Sequence, residues 1–531
     1  MSGFGLFIYG MDLMRRGFQR STGDKLKEII AMLTNNIFLS VLVGTLFTII
    51  IQSSSAATIT VVGLVNAGIL GLPQALGLIM GANIGTTVTP HLISFNLHGI
   101  DSIVLFIGVI LHIFPTRPKY KYLSEIFLGI GLLFVGMNLM NHSLQPLITL
   151  PYFEKVILYF SANPLLGLLI GVLITGLVQS SSASIGLLMA ICTNGYLPLA
   201  SALPILYGGN IGTCLTSLIS STGTCKNGKR AAVMHLIFNI IGAFIFIVFL
   251  SVPLEFFVSK ISPSNISRQI ANAHTLFNII NTILLLPFAS YIVKFSIKLI
   301  PDDKDYENPT GNTMYLDERL LQTPPIALSN TISEVLRMGD KTSSALDYSF
   351  EAILYNDLSK VDKSLYYKNN IDKLQTEIQN YLILLSKTSL SESNRSKNSS
   401  LFNIIKDIEI ISNYAENIAN VAGNAMTSNI NFSNIDTGEL IEIYKKTLFT
   451  FNSSLIALEN NDTALANKVI KVKKEVSLLE NYFRKSYMNT LNSGDVNMEI
   501  GILYLSLLSS LERISNHSAR IAQQVISTRV N

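Results

Sequence analysis

Charge is what this sequence most lacks. Between Glu28 and Arg117 the only formally charged residue is Asp101, and from Val156 to Cys225 there is none. Uncharged runs of this length exclude an ordinary soluble domain for the first half of the chain. Cysteine is scarce as well. The three present, Cys192, Cys214 and Cys225, lie in the apolar half without metal-ligand spacing, which excludes a disulfide framework and a zinc site and leaves them packing roles. Basic residues are scattered and the net charge is only +4, so no nucleic-acid partner is expected. No Ser-His-Asp or metal-ligand constellation stands at recognisable spacing in the apolar half. Three serines without a placed base are not a nucleophile, so an enzyme is not expected. The opening segment, "MSGFGLFIYGMDLMRRGFQR", has its apolar run before its positive charges and lacks a small-residue cleavage pattern. It reads as a retained, somewhat short first helix rather than a signal peptide.

What is present divides the 531 residues in two. Up to about residue 300, Leu, Ile, Val, Phe, Gly and Ala dominate, in runs such as "FLSVLVGTLFTIII" (38–51) and "HLIFNIIGAFIFIVFL" (235–250). A helix needs roughly 20 apolar residues to cross the bilayer core, and several runs approach that length. The first 300 residues are therefore predicted to form an all-α, polytopic membrane domain. Residues 301–319, "PDDKDYENPTGNTMYLDER", read as a linker. From 320 to 531, apolar residues recur at three- and four-residue intervals, which predicts about six amphipathic helices with breaks near 356, 388–400, 430–437, 461 and 493. Six such helices suit two three-helix bundles.

The membrane half contains a repeat. Residues 44–87 align on 171–214 without a gap: Gln52 falls on Gln179, "IQSSSAAT" (51–58) on "VQSSSASI" (178–185), and "GANIGT" (81–86) on "GGNIGT" (208–213). Upstream, "GFGLFIYGMDLM" (3–14) matches "GIGLLFVGMNLM" (129–140). The units are taken as about 3–116 and 129–252, with a final helix at about 270–298. Loop charges test their orientation. Arg15, Arg16, Arg20, Lys25 and Lys27 follow the first helix, whereas the matching loop 141–163 has only Lys155; residues 88–102 have no Lys or Arg, whereas Lys226, Lys229 and Arg230 follow the second copy. Basic loops favour the cytoplasm, so the sign flip predicts an inverted repeat, with 15–27, 117–121 and 226–230 inside and 255–268 outside. A final helix ending at Lys294 and Lys298 would return the chain, and with it the polar half, to the cytoplasm.

Gln-Ser-Ser-Ser is a poor helix interior but a good helix start, since serine hydroxyls compete for the backbone mid-helix and cap it at the N-terminus. The two copies therefore predict broken or re-entrant helices whose N-termini meet near the bilayer midplane. Exposed N–H groups, helix dipoles and six hydroxyls favour an oxyanion, and unwound carbonyls can hold sodium. With no Lys or Arg nearby in sequence, co-bound sodium would supply the balancing charge. The candidate substrate- and ion-binding residues are Gln52, Ser53, Ser54, Ser55, Gln179, Ser180, Ser181 and Ser182, together with Asn83, Thr86, Asn210 and Thr213. Gly81, Gly85, Gly208 and Gly212 are expected to loosen or turn the backbone.

These residues resemble the type II sodium-dependent phosphate cotransporters and their bacterial relatives over residues 3 to about 298, including "AAVMHLIFN" (231–239) and "IANAHTLFN" (270–278). The resemblance implies sodium-coupled movement of inorganic phosphate across the cell inner membrane by alternating access, with substrate and ions between the two serine segments and no other cofactor. Another oxyanion or small acid, an exporter, or a membrane phosphate sensor signalling through the tail are the alternatives. His235 and His274 are read as packing or hydrogen-bonded residues. In the tail, "DIEIISNYAENIANVAG" (407–423) and "SLERISNHSARIAQQVI" (510–526) resemble the signature helices of PhoU-type domains. In that pattern a Glu and an Asp four residues apart face a metal. Here Asn413 and Asn516 replace the Asp, so Glu409 and Glu512 are read as solvated or salt-bridged rather than as a metal site. Homo-oligomerisation is left open.

Overall fold

A computed structural model describes residues 2–22, 36–95, 101–114, 118–144, 163–301, 313–427, 437–492 and 498–530. Lys25, Lys27, Lys155 and the middle of the linker lie outside the described residues. Among those described, the chain is helical without strands. It divides into two compact units, one of Met1–Tyr306 with Asp317–Ile326, the other of Glu307–Leu316 with Ala327–Asn531.

The first unit contains α1 (Ser2–Thr22), α2 (Ile37–Ile51), α3 (Ser54–Asn66), α4 (Leu72–Thr86), α5 (Val88–Ser94), α6 (Asp101–Ile113), α7 (Pro118–Leu144), α8 (Pro164–Val178), α9 (Ser181–Thr193), α10 (Leu199–Ser220), α11 (Lys226–Ile245), α12 (Ser251–Ile261), α13 (Ile266–Leu285) and α14 (Ala289–Leu299). Among the described residues, four segments are long and apolar enough to cross a membrane: Lys119–Ser143, Leu199–Ser220, Lys226–Ile261 and Ile266–Leu299. The third is continuous because a π-helical turn, Phe246–Leu250, joins α11 to α12. The surface is apolar where lipid is expected. Leu165, Leu169, Leu173 and Leu177 of α8, spaced one turn apart, are all exposed, as are Phe244, Phe249, Val252 and Phe256.

The inversion predicted from loop charges is visible in one helix pair. Equivalent helices α1 and α7 pack against each other antiparallel, through their own glycines. A Cβ on Gly3 would lie 2.9 Å from the Gly136 carbonyl, and one on Gly10 2.7 Å from that of Gly129, while Gly17 faces Tyr122. Gly3 and Gly10 are themselves the repeat partners of Gly129 and Gly136. The contact thus maps onto itself when the copies are exchanged, as a twofold axis in the membrane plane requires.

Within each copy, the glycines expected to loosen the backbone instead remove side chains from a helix seam. A Cβ on Gly81 would meet the Val41 carbonyl at 2.0 Å and one on Gly85 the Thr45 carbonyl at 2.5 Å; the second copy repeats this with Gly208 on Leu168 at 2.0 Å and Gly212 on Val172 at 2.8 Å. Residue numbers rise together along this seam, so α4 runs parallel to α2. The chain must therefore double back through α3, which makes Gln52–Ser53 the tip of a re-entrant hairpin, and the same holds for α8, α9 and α10. Fifteen-residue α2 and α8 rise about 22 Å at 1.5 Å per residue, less than the roughly 30 Å core, so each tip ends inside it. The copies differ after the seam: Pro90 lacks the N–H a continuous helix needs, and the chain breaks at Thr87 into α5, whereas Ser217 stands at the equivalent place and α10 runs on.

Asp317–Ile326 packs with the first unit, so the boundary expected at 320 falls inside this segment. A short 3-10 turn, Glu318–Gln322, is capped by Asp317. Asp317 also accepts from Asn66 at 2.9 Å, Thr323 meets Thr60 at 3.0 Å, and Arg319 donates to the Ser220 and Thr222 carbonyls. Leu320 is fully buried against Gly63.

Among its described residues the second unit contains six helices: α15 (Pro324–Tyr355), whose first residues belong to the preceding segment, α16 (Leu358–Ser386), α17 (Glu392–Thr427), α18 (Thr437–Asn460), α19 (Thr463–Asn492) and α20 (Met498–Val530). The expected breaks at 356 and 461 are Asn356 and Asn461 in the left-handed region, where asparagine is tolerated at helix ends. Asp357 caps the next helix by accepting from Ser359, and Asp462 accepts from Ala464. The expected break over 388–400 is shorter than foreseen, because α17 starts at Glu392.

Candidate anion site between two serine-capped helices

Each hairpin tip is built identically. Gln52 ends α2 at φ 57° and Gln179 ends α8 at φ 54°, both in the left-handed region that costs a non-glycine residue about 1–2 kcal/mol. Ser53 and Ser180 are extended and act as N-caps, their hydroxyl oxygens accepting from Ala56 N–H and Ala183 N–H at 3.2 Å. Because each cap accepts through oxygen, its hydroxyl hydrogen stays available to donate. The first intrahelical bonds run from Ala57 N–H to Ser53 and from Ser184 N–H to Ser180. The N–H groups of Ser54, Ser55, Ser181 and Ser182 therefore lack partners within their own helices. Backbone strain of this kind gathers at functional sites.

The two tips share one cavity of about 200 Å³, lined by Gln52, Ser53, Ser54 and Ser55 and by Gln179, Ser180, Ser181 and Ser182. Two helix N-termini thus present free N–H groups, partial positive charge and hydroxyls to the same space, which is the composition of an anion site. Thr89 lines it too and donates to the Gln52 side-chain oxygen at 2.6 Å. The wall contributed by α1 comprises Ile8, Met11, Asp12, Met14 and Arg15. Asp12 pairs with Arg15 through one carboxylate oxygen and with Arg16 through the other. No Arg or Lys is near the serines in sequence, but Arg15, distant along the chain, is adjacent in space.

Asn83, Thr86, Asn210 and Thr213 do not line the cavity. They are buried and bond elsewhere: Asn83 donates to Asn239 at 3.2 Å, Asn210 to Asn278 at 3.0 Å, Thr86 to the Ala82 carbonyl and Thr213 to that of Asn210. The two asparagines thus tie each copy to the His-x-x-Phe-Asn helices, α11 and α13. His235 meets Ser217 at 3.2 Å and His274 meets Asn210 at 3.1 Å, both fully enclosed. One turn before each tip, the Thr48 and Thr175 hydroxyls are buried with no hydrogen-bond partner. Cys192 and Cys214 are buried as packing residues; Cys225 is exposed at the start of α11, its N–H donating to Asn66, because it caps a helix rather than filling a core.

A second cavity, about 250 Å³, is lined by Asp101, Asn138, Asn141, Thr193 and Ser267 among others. Asn138 and Asn141 are the repeat partners of Asp12 and Arg15. Asn138 donates to Asp101 at 2.9 Å.

In the second unit, Glu409 accepts from Asn413 at 2.7 Å and Glu512 from Ser477 at 3.0 Å. Among the described residues no three His, Cys, Asp or Glu side chains gather as a metal site. The signature helices carry a different buried carboxylate, Asp407, which meets His517 at 2.8 Å.

The sequence profile of Na+/Pi-cotransporters matches residues 6–142 and 136–283, and that of the PhoU domain matches 335–422 and 440–525. The chain is 22% identical to YjbB of Salmonella typhimurium, provisionally named an inorganic phosphate export protein, over 99% of this chain and 96% of that protein. It is 32% identical to the uncharacterized protein YqeW of Bacillus subtilis over 48% of this chain and 83% of that one. A segment covering 15% of this chain and 13% of the rat sodium-dependent phosphate transport protein 2A is 40% identical to it. With two membrane-half matches that together span more than half its length and two PhoU repeats behind them, this chain is a member of the Na+/Pi-cotransporter family.

Proposed function

We propose that the protein is a sodium-coupled secondary transporter of inorganic phosphate in the cytoplasmic membrane, working by alternating access of its inverted halves, with the PhoU domain in the cytoplasm. The observation that carries this reading is the convergence of two serine-capped helix N-termini, from opposed repeats, on one cavity. Neutral donors recognise an oxyanion but do not balance its charge. Asp12 and Arg15, the charged residues lining the cavity, pair with each other, and even a freed Arg15 would offset only one charge of a doubly charged phosphate. A cation must therefore accompany the anion, and sodium suits the oxygens at hand: the unpartnered Thr48 and Thr175 hydroxyls and the carbonyls of the last turns of α2 and α8 that no intrahelical N–H claims. Alternating access finds support in the second cavity, whose α7 wall is the repeat counterpart of the α1 wall of the first. The nearby Arg15, Arg16 and Arg20 support an opening of the serine cavity toward the cytoplasmic side, where basic residues collect. Export is favoured as the direction by the relative that spans nearly the whole chain.

Radiolabelled phosphate counterflow in proteoliposomes tests the reading. Exchange is expected with sodium present and to fall to background when choline replaces it, with an imposed sodium gradient driving net flux; sulfate and dicarboxylates should compete poorly and arsenate well. Exchange indifferent to sodium would remove the coupling, and phosphate binding without flux would make the protein a sensor.

A further inference from the structure

The proposed phosphate site leaves one feature unused: a charge pair on the wall of a cavity otherwise made of neutral groups. Asp12 and Arg15 lie on α1, whose repeat partner α7 has Asn138 and Asn141 at the equivalent positions. The pair is thus present in one copy only and is not shared by the two repeats. Positive residues at the end of α1 have an ordinary explanation in membrane orientation. That explanation does not extend to Asp12, which is about a quarter exposed and would weaken such a signal. Charges held within a membrane domain are expensive and are kept where they serve a passage or a ligand.

We infer that Arg15 is a further substrate-contacting residue of the phosphate site, and that Asp12 is its internal competitor: the guanidinium pairs with Asp12 in the empty cavity and with the oxyanion in the loaded one. The geometry makes this exchange inexpensive. Asp12 holds Arg15 with one carboxylate oxygen and Arg16 with the other, so when Arg15 turns to the substrate the carboxylate keeps a partner and is not left as an unpaired charge. Arg16, half exposed, does not line the cavity and serves to retain Asp12. Guanidinium is suited to the task because its planar fork matches two phosphate oxygens at once. This inference rests on the phosphate reading of the site and adds to it a selective, switchable cation on the α1 wall.

The test is phosphate half-saturation in counterflow, paired with equilibrium binding of radiolabelled phosphate to detergent-purified full-length protein, for Arg15→Gln, Arg15→Lys, Asp12→Asn, Ser53→Ala and Ser180→Ala. Arg15→Gln should raise half-saturation roughly tenfold or more, since a hydrogen bond to a charged group is lost. Asp12→Asn should lower it several-fold by releasing the arginine, roughly the inverse of the competition removed. Arg15→Lys should fall between wild type and Arg15→Gln, keeping the charge but not the fork. Shifts of opposite sign in Arg15→Gln and Asp12→Asn do not arise from a strut that merely holds α1 in place. Half-saturation within twofold of wild type in both variants, or a rise in both, overturns the inference. If Arg15→Gln does not purify as a folded protein, Asp12→Asn decides alone: a lowered value supports, an unchanged or raised one overturns. Should the serine variants lose phosphate binding while the α1 variants behave as wild type, only this inference fails. Serine variants that bind normally would instead remove the underlying site.

Discussion

Ser53→Ala and Ser180→Ala should each lower phosphate flux by one to two orders of magnitude while leaving a folded protein. Each change removes a hydroxyl that accepts from the first turn of its helix and keeps its hydrogen free for a ligand. Loss of the cap costs about 1 kcal/mol, too little to unfold helices as enclosed as α3 and α9. Loss of a hydrogen bond to a charged ligand costs about 1.5–3 kcal/mol, which is roughly ten- to hundredfold in affinity. The larger effect therefore falls on the anion rather than the fold. Threonine restores both the cap and the donor, so Ser53→Thr should recover much of the flux, whereas alanine does not. The double alanine variant should be less than multiplicative, because both hydroxyls address one ligand and their effects are coupled. Size-exclusion profiles and thermal melting establish the folded state, and initial rates of exchange give the flux. Two alanine variants that exchange phosphate at the wild-type rate would take the serines out of the site.

The glycine seam should be still less tolerant. Gly81→Val or Gly208→Val places a branched side chain where even a Cβ would sit 2.0 Å from a carbonyl oxygen of the neighbouring helix. The atom met is backbone, so no rotamer change relieves it and the two helices must separate. Overpacking a core costs about 1–3 kcal/mol where side chains can shift, and more where only backbone can give. These variants are expected to yield little monodisperse protein, and alanine at the same sites a lowered melting temperature. Gly5→Ala, which meets nothing within 4 Å, is the control and should be neutral or slightly stabilising, alanine being the better helix former. The seam holds the hairpin tip in place. Alanine variants that do survive should therefore lose phosphate affinity, although Gly81 and Gly208 do not line the cavity.

The parts of this architecture set by local chemistry were legible in the sequence. Serine after glutamine predicted helix starts, and Ser53 and Ser180 are N-caps. Three- and four-residue spacing predicted six tail helices, and Asn356 and Asn461 end two of them where breaks were expected. Inverted orientation followed from the loop charges around Arg15–Arg20 and Lys226–Arg230, and the α1–α7 contact agrees. What escaped depended on contacts between distant segments. Gly81 and Gly208 look like backbone hinges until α2 and α8 are placed against them. Asn83 and Asn210 share the polar character of a ligand site, but α11 and α13 claim their amides. Arg15 enters the cavity only because α1 folds over both tips, a placement no sequence interval encodes. Asp317–Ile326 has the composition of a linker, and its burial rests on Asn66, Thr60 and the end of α10, far away in the chain.

The most direct measurement is an electron-density map of the protein in lipid nanodiscs, prepared once with phosphate and sodium and once with neither. The two helix N-termini should flank a tetrahedral density present only in the loaded sample, within hydrogen-bonding distance of Ser53 and Ser180, with smaller sodium densities near Thr48 and Thr175. Phosphate density confined to some other part of the membrane unit, with the space between the serine tips unchanged on loading, would contradict the account.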